Sequence, residues 1–114
     1  MRLFDETRSC VIADHLRMAG NFFERLRGLL GTRSLEPGEG LWIPRCQGIH
    51  TFGMRFAIDV IFLDKQMKAI RAVRQLEPNR AGPVEMSACS AIELPAGTLQ
   101  FFHISEGDSF KVSE

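Results

Sequence analysis

Phe56-Ala57-Ile58-Asp59-Val60-Ile61-Phe62-Leu63 decides how this chain is read. Branched and aromatic residues dominate the run, and they favour strand over helix. Its apolar residues occupy both alternating sets of positions, so both faces of the strand need cover. That is the pattern of a central strand between two layers. Asp59 alone interrupts it. A carboxylate in an oily run is costly to bury unless it is paired or accepts good hydrogen bonds. Arg55 lies four residues earlier and, on a strand, faces the same side, so the two heads are expected to meet directly or through water.

Just upstream lies Cys46-Gln47-Gly48-Ile49-His50-Thr51-Phe52-Gly53-Met54. Gly53 allows a bend that swings His50 and Thr51 towards Arg55 and Asp59. Cys46 and His50 share a face on a strand. A tetrahedral zinc site needs two more ligands, so Cys89 and one of His15, His103, Asp14 or Asp59 would have to converge. There is no Cys-x2-Cys or His-Glu-x2-His pattern. Metal ligation by Cys46, His50 and Cys89 therefore stands as a minor alternative, and nothing calls for a cofactor. His50 lowering the pKa of Cys46 or Cys89 for nucleophilic work is another minor alternative.

Downstream, Asp64-Lys65-Gln66 reads as a hairpin turn and Met67 to Leu76 as the partner strand. Its cations, Lys68, Arg71 and Arg74, suit a solvated or edge-protecting face. Glu77 to Pro83, with two prolines and a glycine, reads as a loop over the sheet. Further strands are expected at Leu3-Phe4, Cys10 to Ile12, Leu41 to Ile43, Cys89 to Leu94 and Ser109 to Val112. A capped helix is expected from Asn21, with Glu24 completing a capping box, to Gly31. Leu99 to His103 reads as a short helical turn. The residues thus describe a mainly β domain spanning 1–114 with one helix and one helical turn.

The chain has 114 residues, 45% apolar and 25% charged, with formal net charge zero. Such a chain has no global field to draw it to nucleic acid or an anionic membrane. No apolar run reaches the roughly 20 residues that span a bilayer. The start of the chain, with Asp5 and Glu6 and no apolar core, is not a signal peptide. Three cysteines suit a reducing compartment, so the cytoplasm is expected. There is no phosphate loop, dinucleotide fingerprint, serine-hydrolase elbow or basic-aromatic RNA motif.

Four blocks, taken together, carry a resemblance. They are Arg27-Gly28-Leu29-Leu30-Gly31, Ile49 to Phe56, Ile58 to Asp64, and Glu93-Leu94-Pro95-Ala96-Gly97-Thr98. In this order they resemble the DUF192 family of uncharacterised small proteins. The resemblance implies a compact antiparallel β-barrel or sandwich with one or two short helices. It implies no established activity, substrate or cofactor. By motif position it carries over Met54, Arg55, Asp59 and Glu93 as polar or contact residues.

The expected function is a small non-enzymatic binding module. It would hold a small molecule or peptide in a charged groove near His50, Met54, Arg55, Asp59 and Glu93, rimmed by the Glu77–Pro83 loop. Arg55 would engage an anionic group and Asp59 would orient Arg55. The rival is a small hydrolase with His50 or Asp59 as general acid or base and Arg55 as electrostatic stabiliser. A further rival is an interaction domain that uses an open sheet edge at Met67 to Leu76.

Overall fold

The computed structural model describes residues 1–21 and 34–114. The expected helix from Asn21 to Gly31 lies almost wholly outside the described residues. Ten strands and one helical turn make up the rest: β1 (Arg2–Asp5), β2 (Cys10–Ala13), β3 (His15–Met18), β4 (Glu39–Pro44), β5 (Gly48–His50), β6 (Ile58–Leu63), β7 (Ala69–Leu76), β8 (Ala81–Val84), β9 (Ser90–Pro95), α1 (Thr98–Phe101) and β10 (Phe110–Ser113).

The strands form three sheets, ordered β10-β1-β2, β3-β4-β9-β6-β7 and β5-β8. They do not close on one another, so the fold is a mainly β sandwich rather than a barrel. The five-stranded sheet is the middle layer. All six residues of β6 are buried, as the run from Phe56 to Leu63 requires. Ile61 and Leu63 pack with Leu3, Ile12 and Phe110 of the three-stranded sheet. Ile58, Val60 and Phe62 pack on the opposite face with Leu41, Ile43, Ile49 and Met54. Alternation of side chains along one strand thus feeds two cores. Burying each large apolar side chain contributes about 1.5–3 kcal/mol.

Two expectations need correction. The sandwich is not wholly antiparallel, because β3 runs parallel to β4. A parallel pair needs a crossover of a dozen or more residues, and residues 19–38 supply that length. Also, Glu77 to Pro83 is not all loop: its last residues open β8, which pairs with β5. Prolines and glycine do not prevent a strand that has an open edge.

One ion network ties the ends of the three-stranded sheet together. Buried Asp5 accepts the Thr7 and Arg8 amides, and the Arg8 guanidinium donates to both Asp5 and Asp108. The β1–β2 turn is thereby fixed to the turn that precedes β10.

Gly40 sets the spacing of β3, β4 and β9. A Cβ there would lie 3.0 Å from Leu94 Cδ2 and 3.1 Å from Leu16 Cδ1. Gly40→Ala should therefore destabilise the fold by about 1–3 kcal/mol, read from the midpoint of urea unfolding. No change in midpoint would mean that the two leucines move aside freely.

Candidate functional site

Asp59 is completely buried. On β6 it stands opposite Leu94 and points into the core shared with the three-stranded sheet. It meets backbone. Oδ1 accepts the Gln75 amide at 2.9 Å. Oδ2 accepts the Gly97 amide at 3.1 Å and the Leu99 amide at 2.9 Å. The Gln75 amide is available because β7 bulges there: Ile58 pairs with Leu76 and Val60 with Val73, so Arg74 and Gln75 both stand opposite Asp59. Gln75 takes a left-handed φ of 55°, as a bulge or tight turn often demands. Gly97, with φ 95°, offers its amide from the same left-handed region, where glycine is the natural occupant.

Arg55 is exposed, and no ion pair joins it to Asp59 among the described residues. The expected pair is not formed. Spacing along a regular strand put the two on one face, but β6 begins only at Ile58, so residue 55 lies outside the alternation. The other expected residues separate likewise. His50 is exposed at the end of β5, its ring stacked on Phe52 with centroids 5.8 Å apart. Met54 is buried in the core on the far side of the middle sheet from the Asp59 carboxylate. Among the described residues no hydrogen bond joins His50 to Asp59, so the acid–base pair of the hydrolase alternative is not assembled. Cys10 and Cys89 are free thiols, and no three His, Cys, Asp or Glu side chains converge on a metal position among the described residues.

The Glu77–Pro83 segment is fastened to the His50–Met54 bend. Buried Thr51 donates its hydroxyl to Glu77 O and accepts the Arg80 amide. Asn79 Oδ1 accepts the Gly53 amide at 3.0 Å.

Glu93 sits on β9, the central strand, between Leu41 and Val60. Only 3% of it is exposed, and Oε1 has no hydrogen-bond partner among the described residues. Burial pushes its carboxyl up from 4.5 to about 7.

The wall that Asp59 pins lines a groove of about 700 Å3. Val11 and Ile12 of β2 form one side, with Asp14 just beyond. Pro37 and Gly38 also line it. Pro95 to Thr98 form the other side, with Phe101 and Phe102. The lining is mostly apolar, and its volume falls in the range of small-ligand sites. Asp14 is the one ionisable side chain among the described lining residues. It is hydrogen-bonded to His15 Nδ1 at 3.0 Å, which holds its carboxyl below the ordinary value. Sequence reasoning passed over this groove. Pro95-Ala96-Gly97-Thr98 read only as a strand breaker and a family block, because the amides it presents to Asp59 carry no side-chain signal.

The model of a family described as Uncharacterized ACR matches residues 5–112. The chain belongs to the DUF192 family. Two relatives are each described as a UPF0127 protein. The one from Thermococcus sibiricus is 29% identical over 93% of this chain and 71% of its own length. The one from Thermococcus gammatolerans is 30% identical over 98% of this chain and 76% of its own. Two crystal structures share the fold. A proposed transcription regulator from Sinorhizobium meliloti 1021 has a TM-score of 0.82 and 19% identity, over 96% of this chain and 89% of that one. A protein of unknown function from Novosphingobium aromaticivorans has a TM-score of 0.84 and 15% identity, over 97% of this chain and 82% of that one. At these identities the likeness is of fold alone. The family carries no established activity. Among the described residues no helix is long and apolar enough to cross a membrane.

Removing the Asp59 carboxylate leaves three amides in or near the core without their acceptor. An orphaned buried group costs about 1–3 kcal/mol. Asp59→Ala should therefore destabilise by about 4 kcal/mol and Asp59→Asn by roughly half as much, since the amide retains one acceptor and sets a donor against N–H groups. Urea unfolding reads both, and a loss under about 1 kcal/mol for Asp59→Ala would refute the anchor.

Glu93 makes stability depend on pH. Below about pH 4.5 the group is protonated in both folded and unfolded chains. Between 4.5 and about 7 the unfolded chain releases its proton while the folded one keeps it. Stability therefore falls across that window, by on the order of 3 kcal/mol, and then levels. Glu93→Gln should match the parent near pH 4 and exceed its stability near pH 8. A constant difference at both values would contradict this.

Proposed function

We propose that this protein is a small non-enzymatic binding module that takes an apolar ligand, a small molecule or a peptide, in the groove between β2 and the Pro95–Thr98 turn. One observation carries the reading: the buried Asp59 carboxylate fixes two backbone amides of that turn, Gly97 and Leu99. A site on a rigid scaffold needs its wall held by the core behind it. Asp59 is then a positioning residue that acts through the wall and does not touch ligand. The exposed Phe101, 76% accessible beside the groove, presents a large apolar surface to an incoming partner. The free thiols of Cys10 and Cys89 support a reducing, cytoplasmic setting.

A second reading keeps the ligand at the His50–Arg55 bend. The ring of Phe52, half exposed and stacked on His50, supports it, with exposed Arg55 nearby to receive an anionic group. Met54 and Glu93 would then support that surface from the core below.

One assay separates the two. Nile red, a neutral apolar dye, should brighten on binding the parent protein. Phe101→Ser should weaken that binding at least fivefold with the circular dichroism spectrum intact, while Arg55→Ala leaves it unchanged. Loss of binding with Arg55→Ala, and none with Phe101→Ser, would return the site to the His50–Arg55 bend.

A further inference from the structure

The groove runs along an open strand edge. Val11 and Ile12 are consecutive residues of β2 at a bulge: Phe4 pairs with Val11 and Leu3 with Ala13, so Ile12 stands opposite no single residue of β1. Both line the groove. β2 is the last strand of its sheet, so a groove lined by these residues and by the segment from Pro95 to Phe102 runs beside a sheet edge. Among the described residues β2 pairs with β1 alone. In an antiparallel pair every second residue turns its N–H and C=O away from the partner strand, so β2 offers donors and acceptors outward.

The eight-residue edge strand of the middle sheet, β7, is guarded. The Ala69 amide donates to Asp108 O, the Gly107 amide to Ala69 O and the Phe110 amide to Met67 O, so a turn covers the start of that edge. Further along, Arg71 donates to Val84 O and Arg74 is exposed. Soluble proteins place charges on an edge or cover it to stop unwanted pairing. Cys10-Val11-Ile12-Ala13 carries no charge and no proline, and Val11 is 41% exposed. The edge expected at Met67 to Leu76 is present, since β7 ends its sheet, and among the described residues β2 adds a second edge without charge.

Charge narrows the occupant. Asp14 lines the groove beside Gly38, and Glu36 and Glu39 flank the Pro37–Gly38 turn. Arg2 acts on Asp14 only through space. An otherwise neutral protein thus gathers three carboxylates in and beside the lining of an apolar channel.

Building on the binding-module reading above, we infer that the occupant is an extended peptide segment that pairs with the β2 edge, sets alternate apolar side chains against Pro95, Phe101 and Phe102, and places a lysine or arginine at Asp14. Main-chain hydrogen bonds supply affinity in this mode, and alternate side chains supply selectivity. A lone apolar pocket would not need an open edge beside it.

The test uses the full chain and fluorescein-labelled heptapeptides in anisotropy titrations. The first alternates valine and serine and ends in lysine. The second has glutamate for that lysine. The third is the first with its alternate amides N-methylated, which removes strand donors and keeps the side chains. The expected result is binding of the first, at least tenfold weaker binding of the other two, and at least fivefold weakening of the first by Asp14→Asn. Val11→Lys, at an exposed position, should abolish binding with the fold intact by circular dichroism. Equal binding of the N-methylated peptide would overturn edge pairing, and equal binding of the glutamate peptide would overturn the assignment at Asp14. If Nile red binds and no peptide does, the groove takes small molecules and this inference fails while the module stands. If neither binds, both fail. Self-association in sedimentation that Val11→Lys abolishes, with no peptide binding, would make a second copy the occupant and overturn the peptide.

Discussion

The structure depends on one carboxylate held by backbone. Asp59 lies in the core between the middle sheet and the three-stranded sheet, and three main-chain amides donate to it. Its partners come from two separate places in the chain: a bulge in β7 and the turn that leads into α1. A buried carboxylate accepting several N–H bonds is a strong local interaction, and it fixes geometry because the amides cannot rotate independently of the chain. Remove it and the bulge, the turn and the groove wall lose their common reference.

Much else arranges itself around that point. β6 carries Asp59 and also feeds both cores with alternate residues. β9 lies beside it at the centre of the sheet and ends in Pro95, where the wall begins. Glu93, one strand away and facing the opposite core, is the contrasting case. Its carboxyl is buried with Oε1 unpartnered among the described residues, and burial raises it to about 7. Two acids on adjacent strands therefore play different parts, one an anchor and the other a buried group that makes the fold sensitive to pH. Environment sets that difference, since the residue types are almost the same.

Several elements could be read from residues alone. The apolar run to Leu63 gave a strand buried on both faces, and the hairpin after Asp64, the strand ending at Leu94 and the helical turn near Leu99 follow from local pattern. Asp59 stood out as a group that needed partners. The partner chosen for it, Arg55, was the wrong kind. Strand periodicity relates side chains, and the amides of Gln75, Gly97 and Leu99 leave no mark in a side-chain pattern. The groove escaped for a related reason: its lining comes from β2, the Pro37–Gly38 turn and the segment from Pro95 to Phe102, which lie far apart in sequence.

What the sequence determined by itself was therefore most of the strands, though not β3, β5 or β8, the two-faced burial of β6 and the need to satisfy one buried acid, because propensity, alternation and desolvation act locally. Tertiary structure alone decided which groups satisfy that acid, that β3 runs parallel to β4, that the sheets stay open, and that among the described residues β2 pairs with β1 alone. Those outcomes depend on contacts between distant segments. Backbone amides are chemically alike at every position, so only folding selects which of them meet Asp59.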